Sequence, residues 1–389
     1  MSEDVNPAES PFRYVHSDGV VSILEGLKAS LLVTTYQAGK LAVFRASGGR
    51  LSMLPRTFDK AMGVAADGRR MAIATDWQIW HLHNSPQVAA KMDQDYDACY
   101  LPRRSHVTGS VDVHEIAWGH SPDGAGEDLW VVNTLFSCLC TLDPQYSFVP
   151  RWRPPFVSRI ARQDRCHLNG LAVVEGRPKY VTAFGETDTP EGWRTNKAEG
   201  GCLIDVESGQ TIARDLSMPH SPRWYDGRLW VLDSGRGRLC TVDPKNGAAQ
   251  TVAEFAGYTR GLAFAGRYAF VGLSKVRETA IFGGVPISDK DSERRCGVSI
   301  VDINSGKIIA FLEFEGTVEE IFDVQILAGV RFPTVVGFKK DTIRRACVIA
   351  PEDPAVGLSP PAGSTPSGAI NDAQVGPPLD DSANHSDES

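Results

Sequence analysis

Three histidines and a glutamate carry the strongest chemical suggestion in this chain. His114, His167, His220 and Glu320 each stand at, or just ahead of, a short apolar run of strand type: His114-Glu115-Ile116-Ala117-Trp118, Cys166-His167-Leu168-Asn169-Gly170-Leu171, Pro219-His220-Ser221-Pro222-Arg223-Trp224 and Glu319-Glu320-Ile321-Phe322-Asp323-Val324. Imidazole nitrogens and a carboxylate suit a divalent metal such as Zn, Fe, Mn or Ni. A metal so held polarises a carbonyl or activates water or oxygen, which points to hydrolase, lyase or oxygenase chemistry on a small polar or peptide substrate. Asn169, Arg260 and Glu319 lie in the same segments and are the candidate catalytic groups around such a centre. None of the four ligand candidates sits in a local HxH or HExxH motif, so only the fold can bring them together.

That fold is legible as a repeat. The polar-then-apolar phrase recurs at spacings of about forty to sixty residues, with Thr259-Arg260-Gly261-Leu262-Ala263-Phe264 as a further copy and Lys60-Ala61-Met62-Gly63-Val64-Ala65 as a degenerate first one. Between copies the chain repeats itself again. Asp128-Leu129-Trp130-Val131-Val132-Asn133 and Cys138-Leu139-Cys140-Thr141-Leu142-Asp143-Pro144 match Arg228-Leu229-Trp230-Val231-Leu232-Asp233 and Arg238-Leu239-Cys240-Thr241-Val242-Asp243-Pro244. The recurring Asp with Gly or Pro closes hairpins. Four short strands per unit predict an all-β fold, a β-propeller with six blades favoured and seven allowed. Ser30-Leu31-Leu32-Val33-Thr34-Thr35-Tyr36 and Lys40-Leu41-Ala42-Val43-Phe44-Arg45 form a strand pair without an opening strand, so the N-terminal strands are expected to complete the last blade and close the ring. A helical turn is expected at Ser22–Lys28.

In a propeller the first strand of each blade lines the central channel. Polar residues at the starts of those strands therefore converge on one mouth. Matching the apolar runs sets His114 level with Asn169, Ser221 and Arg260, His167 two places earlier and His220 one place earlier. Residues two apart share a strand face and residues one apart do not. His114 and His167 are compatible, whereas His220 needs a bulge or a place in the preceding loop. The alternative is that each histidine satisfies buried backbone groups.

Two insertions interrupt the rhythm, one over residues 184–201 and one from Lys275 to Arg295. Both exceed hairpin length. Glu186, Asp188, Trp193 and Arg194 in the first mix charge with an aromatic and are candidate substrate contacts, as is Asp97 ahead of Pro102-Arg103-Arg104. Cys99 reads as a buried thiol, and Trp80, Trp118, Trp130 and Trp230 as packing between blades.

Composition narrows the class. The chain has 389 residues and a formal net charge of -8. Residues 351–389 hold seven acidic residues and no Lys or Arg, so -8 minus -7 leaves about -1 for the rest. A near-neutral body argues against nucleic-acid and membrane partners and leaves a small-molecule or peptide ligand. The segments read as an N-terminal arm (1–20), a propeller (21–350) and a disordered acidic tail (351–389). Eight scattered cysteines without CxxC spacing, and an N-terminus without an apolar signal region, lead to the expectation of a reducing, cytoplasmic setting.

The phrases Thr34-Thr35-Tyr36-Gln37-Ala38-Gly39-Lys40-Leu41, Tyr96-Asp97-Ala98-Cys99-Tyr100-Leu101-Pro102-Arg103, Cys166-His167-Leu168-Asn169-Gly170-Leu171-Ala172 and Gly185-Glu186-Thr187-Asp188-Thr189-Pro190-Glu191-Gly192-Trp193-Arg194 resemble a bacterial family of conserved hypothetical proteins. It is a domain-of-unknown-function family, and the resemblance covers roughly residues 20–350. It implies a β-propeller fold and no particular activity. By fold alone the chain is similar to lactonase-type and lyase-type propellers, whose divalent metals sit on the axis. Two functions are thus in play: a metal-dependent enzyme acting at the axis, and a non-catalytic propeller that binds a protein or peptide through its top loops.

Overall fold

A computed structural model describes residues 12–275, 284–289, 295–316, 318–338 and 341–349. The acidic tail, the start of the N-terminal arm and most of the second insertion lie outside the described residues.

Six sheets stand around a central axis, one per blade, antiparallel apart from one added edge strand. Going round the ring, their innermost strands are Asp323–Ala328, Val64–Ala66, Val113–His120, Leu168–Val174, His220–Tyr225 and Tyr258–Ala265, each touching the next and the last touching the first. They belong to blades one to six respectively. Blade one joins the two ends of the chain: its inner strand comes from the C-terminal part, and Ala29–Thr35, Lys40–Ser47 and Arg50–Thr57 supply the other three. The expected six blades and N-terminal closure are both present.

The sequence accounts for the layering. Second strands such as Leu129-Trp130-Val131-Val132 and Leu229-Trp230-Val231-Leu232 are buried along their length, which near-continuous apolar runs require. Trp230 is fully buried, and the apolar cores lie between neighbouring sheets. Two outer edges are covered by added strands. Phe12–His16 pairs with Lys307–Gly316 on blade six, and Pro333–Val335 runs parallel to Ala98–Val107 on blade two. Both hide edges that would otherwise offer unpaired backbone groups to another chain. The last part of the 1–20 arm is therefore built into the sheet.

The helical turn expected at Ser22–Lys28 is a ten-residue helix, Asp18–Leu27. Val20, Val21 and Leu24 form its buried face and pack with Phe44 and Leu312 over the seam between blades one and six. Tertiary burial, more than local signals, defines it: Ser17 at the N-cap makes no side-chain cap. Seven of the eight cysteines, Cys99 among them, are buried free thiols. Among the described residues no helix is long and apolar enough to cross a membrane.

Around the axis the blades alternate in a way that fixes the site. One layer inside the channel mouth, blades one, three and five place Asp323, Glu115 and Ser221, while blades two, four and six place Gly63, Gly170 and Gly261. Each polar side chain accepts a backbone N–H from the following blade: Val64 to Asp323 (3.0 Å), Leu171 to Glu115 (2.8 Å) and Gly261 to Ser221 (3.2 Å). The glycines allow the strands to close up. A Cβ on Gly63 would meet the His114 carbonyl at 2.9 Å, and one on Gly170 would meet Pro222 at 2.4 Å. The ring is thus three double blades, each stapled across its own seam. Arg223 reaches into the same layer, pairs with Glu115 and donates to the carbonyls of Leu262 (2.9 Å) and Leu171 (3.3 Å). Burial raises the proton affinity of Glu115 and Asp323 above the usual carboxylate range, with Arg223 opposing the shift in both.

Candidate functional site at the channel mouth

Directly above that layer stand Phe322 and Met62, from the connections just before the inner strands of blades one and two, and His114, Asn169, His220 and Arg260, from the inner strands of blades three to six. Phe322, His114 and His220, from alternate blades, face one another: His114 lies 5.3 Å from Phe322 and 6.3 Å from His220 between ring centroids. His220 enters this layer through a bulge. Its strand pairs His220 with Leu232 and Arg223 with Trp230, which leaves one extra residue on the inner strand, and Ser221 adopts φ +49. Bulges recur at the same level near His114, Asn169 and Arg260, where each re-aims a side chain towards the mouth.

His167 is not on a strand. It sits with φ +51 in the connection before Leu168, above His114, with ring centroids 4.8 Å apart. The structure therefore brings His114, His167 and His220 together. Arg260 and Glu320 join them, paired at 3.2 Å, and the Arg260 guanidinium carbon lies over the Phe322 ring at 3.5 Å. Asn169 is held from both ends, donating to the His167 carbonyl and accepting from Thr182. Glu319 contributes a backbone carbonyl to Lys275 at the edge of the mouth.

Each histidine has its Nδ1 committed to the protein. His114 Nδ1 lies 3.2 Å from the Asp112 carbonyl and 2.8 Å from Thr134 Oγ1. His220 Nδ1 lies 3.0 Å from the Met218 carbonyl and 3.1 Å from Ser234 Oγ. His167 Nδ1 lies 2.8 Å from the carboxylate of Asp164, which also accepts Trp193 Nε1–H at 3.0 Å. Carbonyls and carboxylates only accept, so in all three rings Nδ1 carries a proton, and in His114 and His220 Nε2 keeps its lone pair. Asp112 and Met218 turn their carbonyls inward because both adopt left-handed backbone, at φ +54 and +45. Burial, reinforced by the neighbouring cations, holds His114 and His220 well below the ordinary histidine pKa, so both are neutral near pH 7.

The first insertion roofs this cluster. Trp193, 2% exposed, and Phe184 pack on the His167 ring at 4.5 and 4.4 Å, and Phe184 also touches His220 at 5.1 Å. Val285 and Ile287, from the described part of the second insertion, close over the same apolar patch with Met218 and Tyr258. The other candidates in the loop serve as its anchors. Glu186 pairs with Arg214 (2.6 Å) and accepts from Thr211 (2.6 Å); Asp188 pairs with the buried Arg165 and accepts the Ser158 N–H (2.9 Å). Arg194 stacks on Trp193 and pairs with Glu191 at 3.1 Å. Asp97 is elsewhere: it accepts the N–H groups of Arg331 and Phe332 at the outer edge of blade two.

Two imidazoles on one tetrahedral ion, with metal–nitrogen bonds of about 2.0–2.1 Å, hold their ring centroids roughly 5 Å apart. His114 and His167 meet that spacing. His220 does not, because the Phe184 ring stands against both it and His167. Among the described residues no three His, Cys, Asp or Glu side chains are arranged to hold a metal ion.

Reading the sequence alone passed over Asp164, Thr134, Tyr258, Phe184 and Phe322. Asp164 carried a usable signal, since an acidic residue three places before a histidine can reach its ring. Thr134 follows a second strand, Tyr258 and Phe322 read as core, and Phe184 opens the first insertion, where only the charged residues and the tryptophan stood out.

A family model described as a domain of unknown function, DUF4915, matches residues 18–336. Among curated proteins nothing matches. Solved structures with a similar course include one from the crystal structure of a nidogen/laminin complex, at 12% identity, covering 78% of this chain and 99% of that one with a TM-score of 0.44. Another is a protein of unknown function from Bacteroides caccae, at 10% identity, covering 77% and 98% with a TM-score of 0.47.

Proposed function

Since the chain belongs to this family of domains of unknown function, we propose its activity from the axial geometry: an enzyme of hydrolase or lyase type that moves a proton through His167 and Asp164. The observation that carries the proposal is the His167–Asp164 contact at 2.8 Å, roofed by Trp193 and set beside two neutral histidines. Asp164 fixes the tautomer and orientation of the ring and stabilises the imidazolium that forms when Nε2 takes a proton. His114 and His220 present lone pairs at Nε2, which accept hydrogen bonds from substrate hydroxyls. Arg260 supplies N–H donors for an oxygen that gains negative charge. These preferences describe a small hydroxylated substrate with a carbonyl or carboxyl group.

The test is a turnover screen of the purified protein against lactones, esters and hydroxy acids, run beside His167→Gln. The account expects turnover in the wild type and a loss of about 10²–10⁴-fold in the variant at unchanged melting temperature. Equal turnover in both would refute it.

A second reading rests on the three committed Nδ1 atoms. The Nε2 lone pairs, with Glu320, are the donor set a divalent metal takes, and Phe184 would have to swing aside for His220 to join. Elemental analysis of untagged wild type and His167→Ala decides it: stoichiometric metal only in the wild type supports the metal. Metal in neither, together with no turnover, leaves the non-catalytic binding propeller.

A further inference from the structure

A second pocket lies away from the axis, in the outer seam between blades two and three. It has a volume of about 100 Å³ and is lined by Arg70, His81, His83, Arg104 and Trp118 over an apolar floor of Met71, Leu82 and Leu129. Its polar groups are unequally spent. Glu127 is committed to Arg70 at 2.6 Å, Arg70 is also held by Asp67 at 3.2 Å, and Asp128 accepts from Ser121 at 3.0 Å. Two donors are left over. Trp118 Nε1–H is buried without a hydrogen-bond partner among the described residues, although Arg70 stacks on the same indole at 3.7 Å. Arg104 has no ion-pair partner among the described residues, and His81, only 3% exposed, packs 5.9 Å from the Trp118 ring.

A buried indole N–H left unpaired is costly, on the order of 1–3 kcal/mol, unless something accepts from it. Arg104 favours a negative acceptor, since Arg70 is already paired with Asp67 and Glu127; burial first, then Arg104 and the neighbouring His106, His83 and Arg70, drives His81 down to about 3. About 100 Å³ equals roughly three water volumes, room for a tetrahedral oxyanion. Arginine is the side chain whose planar fork matches phosphate oxygens. We infer that this seam binds a phosphate group, with Trp118 Nε1–H and Arg104 as its principal donors and His81 beside them over the apolar floor.

The test uses the full-length protein at low, constant ionic strength. Inorganic phosphate is titrated in against chloride and acetate by calorimetry, with Arg104→Ala and Trp118→Phe in parallel; the first change is on the surface and the second keeps an aromatic ring while removing the N–H. Saturable phosphate binding, at least tenfold weaker in both variants, is the expected result. A glycerol phosphate arm separates the sources: tenfold tighter binding than phosphate marks a phosphate monoester as the ligand, and equal binding marks the free ion. The inference is overturned if chloride or acetate binds as well as phosphate, or if Arg104→Ala binds like the wild type.

Discussion

Replacing Arg223 by Met removes the cation from the layer beneath the histidines and leaves two buried carboxylates facing it. Arg223 pairs with Glu115 and donates to two backbone carbonyls of neighbouring blades, at 2.9 and 3.3 Å. Removing one partner of a buried pair costs about 3–5 kcal/mol, because the charge left behind is uncompensated. Melting temperature falls roughly 2–4 °C per kcal/mol in domains of 150–250 residues and somewhat less in larger ones, so the loss here is about 5–10 °C. The pH dependence identifies the cause. Glu115 and Asp323 have folded-state pKa values raised by burial. A carboxylate of that kind contributes its full stability below its unfolded pKa and loses it as pH rises through the folded one. Without Arg223 both are raised further, so the deficit is largest near about pH 8 and shrinks towards about pH 5. Urea unfolding followed by tryptophan fluorescence at the two pH values measures it. A deficit under about 1 kcal/mol at the higher pH, or one that grows on acidification, would refute the ion-layer argument.

Other consequences follow from single positions. Gly170→Ala drives a methyl to 2.3 Å from Thr182 Oγ1 and 2.4 Å from Pro222, and should cost about 1–3 kcal/mol or more in the same unfolding assay. His81 is held down to about 3 by burial and nearby arginines, so below about pH 6.5 the unfolded chain takes up a proton that the folded one refuses. Stability is lost there at about 1.4 kcal/mol per pH unit, and His81→Leu should flatten the stability–pH curve by that slope; an unchanged slope would contradict the assignment. Phe184→Ala opens the gap between His167 and His220, and added Zn or Mn should then raise the melting temperature more than in the wild type; no such difference would count against the metal reading.

The repeats made the ring legible. Leu-Trp-Val followed by Leu-Cys-Thr-φ-Asp-Pro, twice over, identifies equivalent strands, and the orphan pair at Ser30 and Lys40 locates the closure. Strand parity left His220 either a bulge or a place in the preceding loop, and the structure supplies the bulge, between His220 and Arg223. Parity could not place His167, because a residue in left-handed loop backbone follows no strand period. The alternation of Asp323, Glu115 and Ser221 with glycine was present in the sequence, but its meaning lies in close approach between blades, which no single blade displays. Glu186 and Asp188 look like ligand contacts by composition. Their partners, Arg214 and Arg165, come from other segments and turn them into anchors.

The most direct test of the axial site is the kinetics of Asp164→Asn on the best substrate the screen yields. Asn at this position can no longer act as a charged acceptor for His167 Nδ1–H, while the ring itself remains. The account predicts a fall in kcat of about 10²–10⁴-fold with a retained fold and a shifted pH profile. A kcat within about threefold of the wild type, at the same pH profile, would contradict the assignment of His167 and Asp164 to proton transfer.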